Sequence, residues 1–260
     1  MTLVLAEIII FFGYYYAGKK LLLRLARHCA EKTVRWGLSR SVLEKTALYE
    51  LVLVVASHIL VVVALLAWRG SVLPGLGVDV GTLVLLPFGA ALGVAQMVTS
   101  IFICQVLISA IGAGQANERI RRLLRLSPAQ ARAISPAAWT DYSRAGWMRH
   151  HLVARTALPG AASVLLTTLQ VTCEEIVFRG VFPLLVASSA WGLDLGLWVS
   201  GVLFVLMQAF FMPSWRSAMF PLVGAAMMAA THGCLYASTG KIWPLVVAHA
   251  VSFFAAAKQP

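Results

Sequence analysis

Long apolar runs alternate with short polar or charged stretches along this chain. The runs cover residues 2–17, 46–68, 82–111, 160–181, 184–211, 217–237 and 241–257. A helix needs ~20 residues to cross the hydrocarbon of a bilayer. The pattern therefore predicts an all-α fold: a polytopic transmembrane helical bundle of about 7–8 membrane helices plus amphipathic surface helices. The eighth helix depends on whether 184–211 is one piece or is broken near Gly192. The first run stops at Lys19-Lys20, and residues 19–45 mix Leu with Lys and Arg, which suits a helix lying on the membrane surface. Pro74, Gly75, Gly77 and Gly81 make a short turn. The 82–111 run exceeds one untilted crossing, so Pro87 and Gly89 are expected to break or tilt it. In 114–150, Ile120, Leu123 and Leu124 recur at helical spacing among Arg121, Arg122 and Arg125, which predicts a second surface helix, with Ser-Pro pairs at 127–128 and 135–136 as breaks.

Composition agrees with this reading. Apolar residues make up 60% of the 260 and charged residues 12%. Both fractions lie well outside those of soluble domains, and the mean hydropathy is +0.83. We read one continuous membrane domain, with 1–150 holding N-terminal membrane helices and two basic segments, and 151–260 forming a C-terminal helical core. The net charge of +11 is concentrated: sixteen of the 21 Lys and Arg residues lie between Lys19 and Lys45 or between Arg119 and Arg155. That is the positive-inside bias, which replaces nucleic-acid binding as the explanation and places both stretches in the cytoplasm against lipid headgroups. Two spans separate them, so charge and topology agree. The first run carries its charge after the apolar residues, the reverse of a cleavable signal peptide. It reads as a retained helix with its N-terminus outside and Glu7 near the interface. The short chain and the lack of an organelle signal suggest a bacterial plasma membrane.

Cys29, Cys104, Cys173 and Cys234 stand singly, without a CxxC pair, which argues against a disulfide framework or zinc knuckle. Neither GxxxxGK[ST] nor a strand-borne GxGxxG occurs, so no nucleotide cofactor is implied.

The candidate chemistry lies in the last apolar part. The segment Thr172-Cys-Glu-Glu-Ile-Val-Phe-Arg-Gly180 puts two carboxylates and a guanidinium among apolar residues, where each charge costs at least ~2.5–3.5 kcal/mol. Glu175 and Arg179 are four apart and share a helix face. Glu174 is turned about 100° away and is the freer carboxylate, fit to accept a proton if desolvation raises its pKa. A purely structural ion-pair network explains the same residues equally well. His28, His150 and His151 lie in basic stretches and are read as solvated. His58 stands alone in a span and reads as a packing residue. His232 and His249 lie in the last two helices and could orient a water or bind a metal, although without HExxH zinc is the weaker reading. Cys173 invites a thiol-protease reading, which a low-dielectric site opposes because it disfavours the thiolate.

Glu174-Glu175-Ile-Val-Phe-Arg179-Gly180 resembles the EExxxRG signature of the CPBP family, the type II CAAX prenyl proteases and related bacteriocin-processing and immunity proteins. The stretch from Gly233 through Thr239-Gly240, Trp243-Pro244 and His249-Ala250 looks like a second segment of that family. The resemblance covers roughly 150–257 and implies a metal-free intramembrane glutamic protease. It implies that Glu174 is the general base on a water, that Glu175 and Arg179 organise the site, that an FxxxH histidine shares the water, and that an HxxxN pair stabilises the oxyanion. Two positions depart from the pattern. Phe204-Val-Leu-Met-Gln208 ends in glutamine instead of histidine, and Phe253 stands four residues after His249 in place of asparagine. Gln208 can hold a water but cannot take up a proton, which removes any contribution of ~10²–10⁴-fold from acid-base catalysis there. A lost donor at 253 would cost ~10²–10³-fold. His232 could replace the missing histidine if its helix packs against Glu174.

Three functions follow: an endopeptidase acting on a client near a membrane-associated or C-terminal anchor segment; a catalytically degenerate relative that binds clients or serves as an immunity or scaffold protein; and a transporter or channel with Glu174, Glu175 and Arg179 lining a polar path. The partners expected are membrane lipid and a protein or peptide client.

Overall fold

The computed structural model describes residues 5, 8–37, 41–69, 75–114, 136–158, 160–187, 192–210 and 212–256. Glu7, the surface helix expected around Ile120–Arg125 and the 127–128 Ser-Pro pair lie outside them. The described residues form helices and no strands. α1 comprises a π-helical segment, Phe11–Gly18, wound directly into Lys19–Arg35. It is followed by α2 (Val42–Arg69), α3 (Val80–Gly114) and α4 (Pro136–Ala157). α5 runs as Gly160–Glu175, a π-helical turn Ile176–Val181, and Phe182–Ala187. α6 (Gly192–Ala209), α7 (Trp215–Thr239) and α8 (Trp243–Ala256) complete the bundle. Among the described residues, α2, α3, α5, α6 and α7 are long and apolar enough to cross a membrane, and α8 is a shorter apolar helix.

Three expected boundaries are revised. α1 does not stop at Lys19-Lys20. Lys, Arg and Leu are good helix formers, and nothing halts the winding before Gly37, whose φ of 72° closes the helix in the left-handed region. α3 is also unbroken. Pro87 sits inside it, as membrane helices tolerate, and Gly89 serves packing. A Cβ at Gly89 would lie 2.3 Å from the Pro244 carbonyl oxygen, and one at Gly93 would lie 2.3 Å from that of Ala248. The two glycines, four apart, let α8 approach the backbone of α3 as in other small-residue helix contacts. The third boundary, expected between 181 and 184, is absent because α5 continues through Pro183. The π turn shifts the hydrogen-bond register by one residue. The Phe178 carbonyl, five residues before the proline that lacks an N–H, accepts instead from the Ser200 hydroxyl at 2.6 Å. α6 starts at Gly192, whose φ is 74°.

Both ends of the bundle are fastened. At one end the α2–α3 turn meets the α7–α8 turn: Ile242 N–H donates to the Gly75 carbonyl at 3.3 Å, Trp243 Nε1 to that of Leu76 at 2.8 Å, and Lys241 pairs with Asp79. Asp79 also caps α3 by accepting from the Thr82 N–H at 2.7 Å. Lys241, then the Thr82 N–H and hydroxyl, hold the Asp79 carboxyl well below the usual carboxylate range. At the other end α4 lies across the start of α7 and the end of α8. Trp139 Nε1 donates to the Arg216 carbonyl at 3.1 Å. The Ser143 hydroxyl donates to the Ser217 carbonyl at 2.7 Å and accepts from Phe220 N–H at 2.9 Å. Arg144 donates to the Ala256 carbonyl at 2.8 Å. His58 is fully buried. Its Nδ1 lies 2.9 Å from the Val54 carbonyl, and its ring packs at 5.3 Å and 5.5 Å from Tyr14 and Tyr15, the packing role its sequence context suggested.

Candidate active site

α5 supplies the acidic pair near the middle of its length. Glu174 and Glu175 occupy the last turn before the π segment, and Arg179 lies inside it. All three are buried. Glu175 is the hub. Its Oε2 lies 3.5 Å from Arg179 Nε and 3.2 Å from His232 Nδ1, and its Oε1 lies 2.7 Å from His249 Nδ1. A carboxylate only accepts, so His249 carries its proton on Nδ1 in the 2.7 Å contact. Nε2 is then the atom His249 can offer to the cavity it lines. Arg179 also lies over the Phe204 ring, 4.2 Å from its centroid, a cation–π contact.

Glu174 is engaged differently. Gln170, one turn earlier on the same face, donates to its Oε1 at 3.1 Å. Glu174 lines a cavity of about 420 Å³ together with Gln208, His249 and Phe253. The remaining wall includes Tyr142, Trp147, Met212, Pro213 and Ser217, as well as Lys19 and Glu50 from α1 and α2. Many of these belong to the end of the bundle where α4 is fastened. The two adjacent glutamates are thus separated by helical rotation into an ion-paired hub and a cavity-facing carboxylate.

His232 is not where its proposed substitute role requires. It is fully buried and is absent from the cavity wall. It sits between Glu175 and Gln96, with Nε2 3.4 Å from Gln96 Oε1. Gln96 is itself fixed. The Thr231 hydroxyl donates to the Met227 carbonyl and accepts from the Gln96 amide nitrogen, which turns the amide oxygen toward His232. His232 therefore braces the hub from behind. Gln208, in contrast, stands on the cavity wall, and Trp147 Nε1 donates to its Oε1 at 3.0 Å.

The sequence reading missed Gln96, Gln170 and Trp147. The i, i+4 spacing of Gln170 and Glu174 is a signal it could have used. A buried amide in the apolar run of α3 is a weaker one. Trp147 lies in a basic segment and had none. Cys173 is buried beside the pair. Among the described residues, no three His, Cys, Asp or Glu side chains come together as metal ligands.

The described helices form a membrane bundle in which a carboxylate, Glu174, and a histidine, His249, line one cavity. Residues 156–254 match the Rce1-like family model, described as type II CAAX prenyl endopeptidase Rce1-like. Over α5 to α8 the chain is thus similar to this family, and its apolar helices make it an integral, multi-pass membrane protein. Neither a curated protein nor a solved structure matches the chain.

Proposed function

We propose that this protein is an intramembrane endopeptidase in which Glu174 activates a water against a peptide bond of a membrane-associated client. The observation that carries the reading is that Glu174, Gln208 and His249 line one cavity within the segment that matches the peptidase family. Glu174 takes the proton of the attacking water. Glu175 holds Arg179 and His249 and acts through them. His249 presents Nε2 to the reacting group. The cavity lies inside a membrane bundle, which favours a client whose scissile bond is near a lipidated or C-terminal anchor segment. We place the protein in a bacterial plasma membrane, with lipid and that client as its partners, and the chemistry calls for neither metal nor nucleotide.

Gln208 and Phe253 favour a second reading, a degenerate relative that binds clients without cutting them. One experiment separates the two. Purified protein in nanodiscs is given an internally quenched peptide with a farnesylated cysteine four residues from its C-terminus. The peptidase reading expects cleavage that Glu174→Gln reduces by ~10²–10⁴-fold. Binding of the peptide without cleavage, unaltered by Glu174→Gln, would establish the second reading instead.

A further inference from the structure

The two positions that depart from the family pattern touch the same side chain. Trp147, from α4, donates its indole N–H to Gln208 Oε1 at 3.0 Å. Its ring packs on Phe253, with centroids 5.2 Å apart at 63°. Trp147 itself lies outside the matched segment. Ser143, one turn before Trp147 on the same face, pins α4 to the start of α7 through its two buried hydrogen bonds. The tryptophan is therefore delivered from a fastened helix.

The chemistry of the contact fixes a direction. An indole N–H can only donate, so the amide atom facing it must be the carbonyl oxygen. The group that Gln208 has left for the cavity is its NH₂, a donor. An undirected glutamine could present either end to a reacting carbonyl, and the oxygen end would repel an oxyanion. Phe253 leaves the family's asparagine position without a donor.

Resting on the peptidase reading above, we propose that Trp147 is a positioning residue that orients the Gln208 amide so that its NH₂ stabilises the oxyanion of the tetrahedral intermediate. The glutamine thereby takes over the task of the missing asparagine instead of that of the missing histidine. As the water oxygen bonds to the client's carbonyl carbon, Glu174 takes the water proton and the carbonyl electron pair moves onto oxygen. That oxygen receives the Gln208 N–H. Collapse of the intermediate breaks the C–N bond, and the proton passes from Glu174 to the leaving amine.

The test uses the full chain in nanodiscs and the same farnesylated, internally quenched peptide. Gln208→Met removes the donor and should lower kcat on the order of 10²–10³-fold. Trp147→Phe keeps the ring packing and removes only the N–H. It should lower kcat on the order of tenfold with KM within about twofold, the signature of an interaction made in the transition state. In the Gln208→Met background, Trp147→Phe should cost nothing further, because it acts through the amide. Equal losses from Trp147→Phe in both backgrounds, or a Gln208→Met protein that turns over like the parent, overturn the inference. So does a loss that appears wholly in KM. Should Trp147→Phe fail to fold, Gln208→Met alone still decides whether the amide serves the oxyanion. Failure of the function itself looks different: the parent then does not cleave the peptide, or Glu174→Gln leaves cleavage intact.

Discussion

The adjacent glutamates provide the sharpest test, because their surroundings differ: Glu175 is ion-paired and Glu174 lines the cavity. Glu175→Gln keeps the shape of the side chain and removes its charge. Arg179 then loses the carboxylate 3.5 Å from its Nε while remaining buried, and the histidines at 2.7 Å and 3.2 Å lose their common anion. Breaking one side of a buried ion pair typically costs about 3–5 kcal/mol. The Phe204 ring beneath Arg179 is worth about 0.5–2 kcal/mol and is present in both proteins, so it offsets none of the difference. Glu174→Gln forfeits far less. Glu174 accepts a hydrogen bond from Gln170, and an amide oxygen can accept the same bond, so the change in stability should stay within about 1 kcal/mol. Thermal unfolding of the two variants in one detergent should separate them by on the order of 10 °C, at roughly 2–4 °C per kcal/mol for a chain of this size. Turnover of the quenched peptide should be lost in Glu174→Gln although that protein melts like the parent. Equal melting temperatures for the two variants would refute the hub-and-cavity division. So would a Glu175→Gln protein as stable as the parent.

Gly93→Ala should disturb the site from a distance. The new methyl meets the Ala248 carbonyl oxygen at 2.3 Å, so α8 must shift and carry the neighbouring His249 with it. Melting should fall by about 1–3 kcal/mol equivalent, and kcat should fall more than KM changes. A variant unchanged in both would show that the α3–α8 contact does not set the site. Asp79→Asn tests the fastening at the opposite end. Because the folded-state pKa of Asp79 is depressed, the carboxylate's contribution is fully present above about pH 4, the unfolded value. It disappears as pH falls through the lower folded value. The variant should melt below the parent at neutral pH, and the gap should close in strong acid. A gap that widened on acidification would contradict the assignment.

Much of the architecture can be read from the chain because lipid imposes a simple rule: every backbone group in hydrocarbon must be bonded within its own helix or closed sheet. Long apolar runs therefore announce helices, and clustered Lys and Arg announce a side. The same rule did not fix where helices end. Lys19-Lys20, Gly89 and Pro183 looked like interruptions, yet each lies within a continuous helix. At Lys19-Lys20 helix propensity carries the winding on, but at the other two only neighbouring elements show why: α8 uses the space left by Gly89 and Gly93, and Ser200 on α6 satisfies the carbonyl exposed by Pro183.

The acidic site divides along the same line. The 3.6-residue period by itself turns Glu174 away from the Glu175–Arg179 face, because that relation is local to one helix. Which face borders a cavity, and that His232 reaches Glu175 and Gln96 instead of the cavity, depend on contacts between residues more than fifty positions apart. The role of Trp147 is of the same kind. No periodicity encodes a hydrogen bond between α4 and α6. It exists only once Ser143 has fastened one helix across the others, so the sequence determined the chemical groups and their local phase, and the packing of the bundle decided which of them meet.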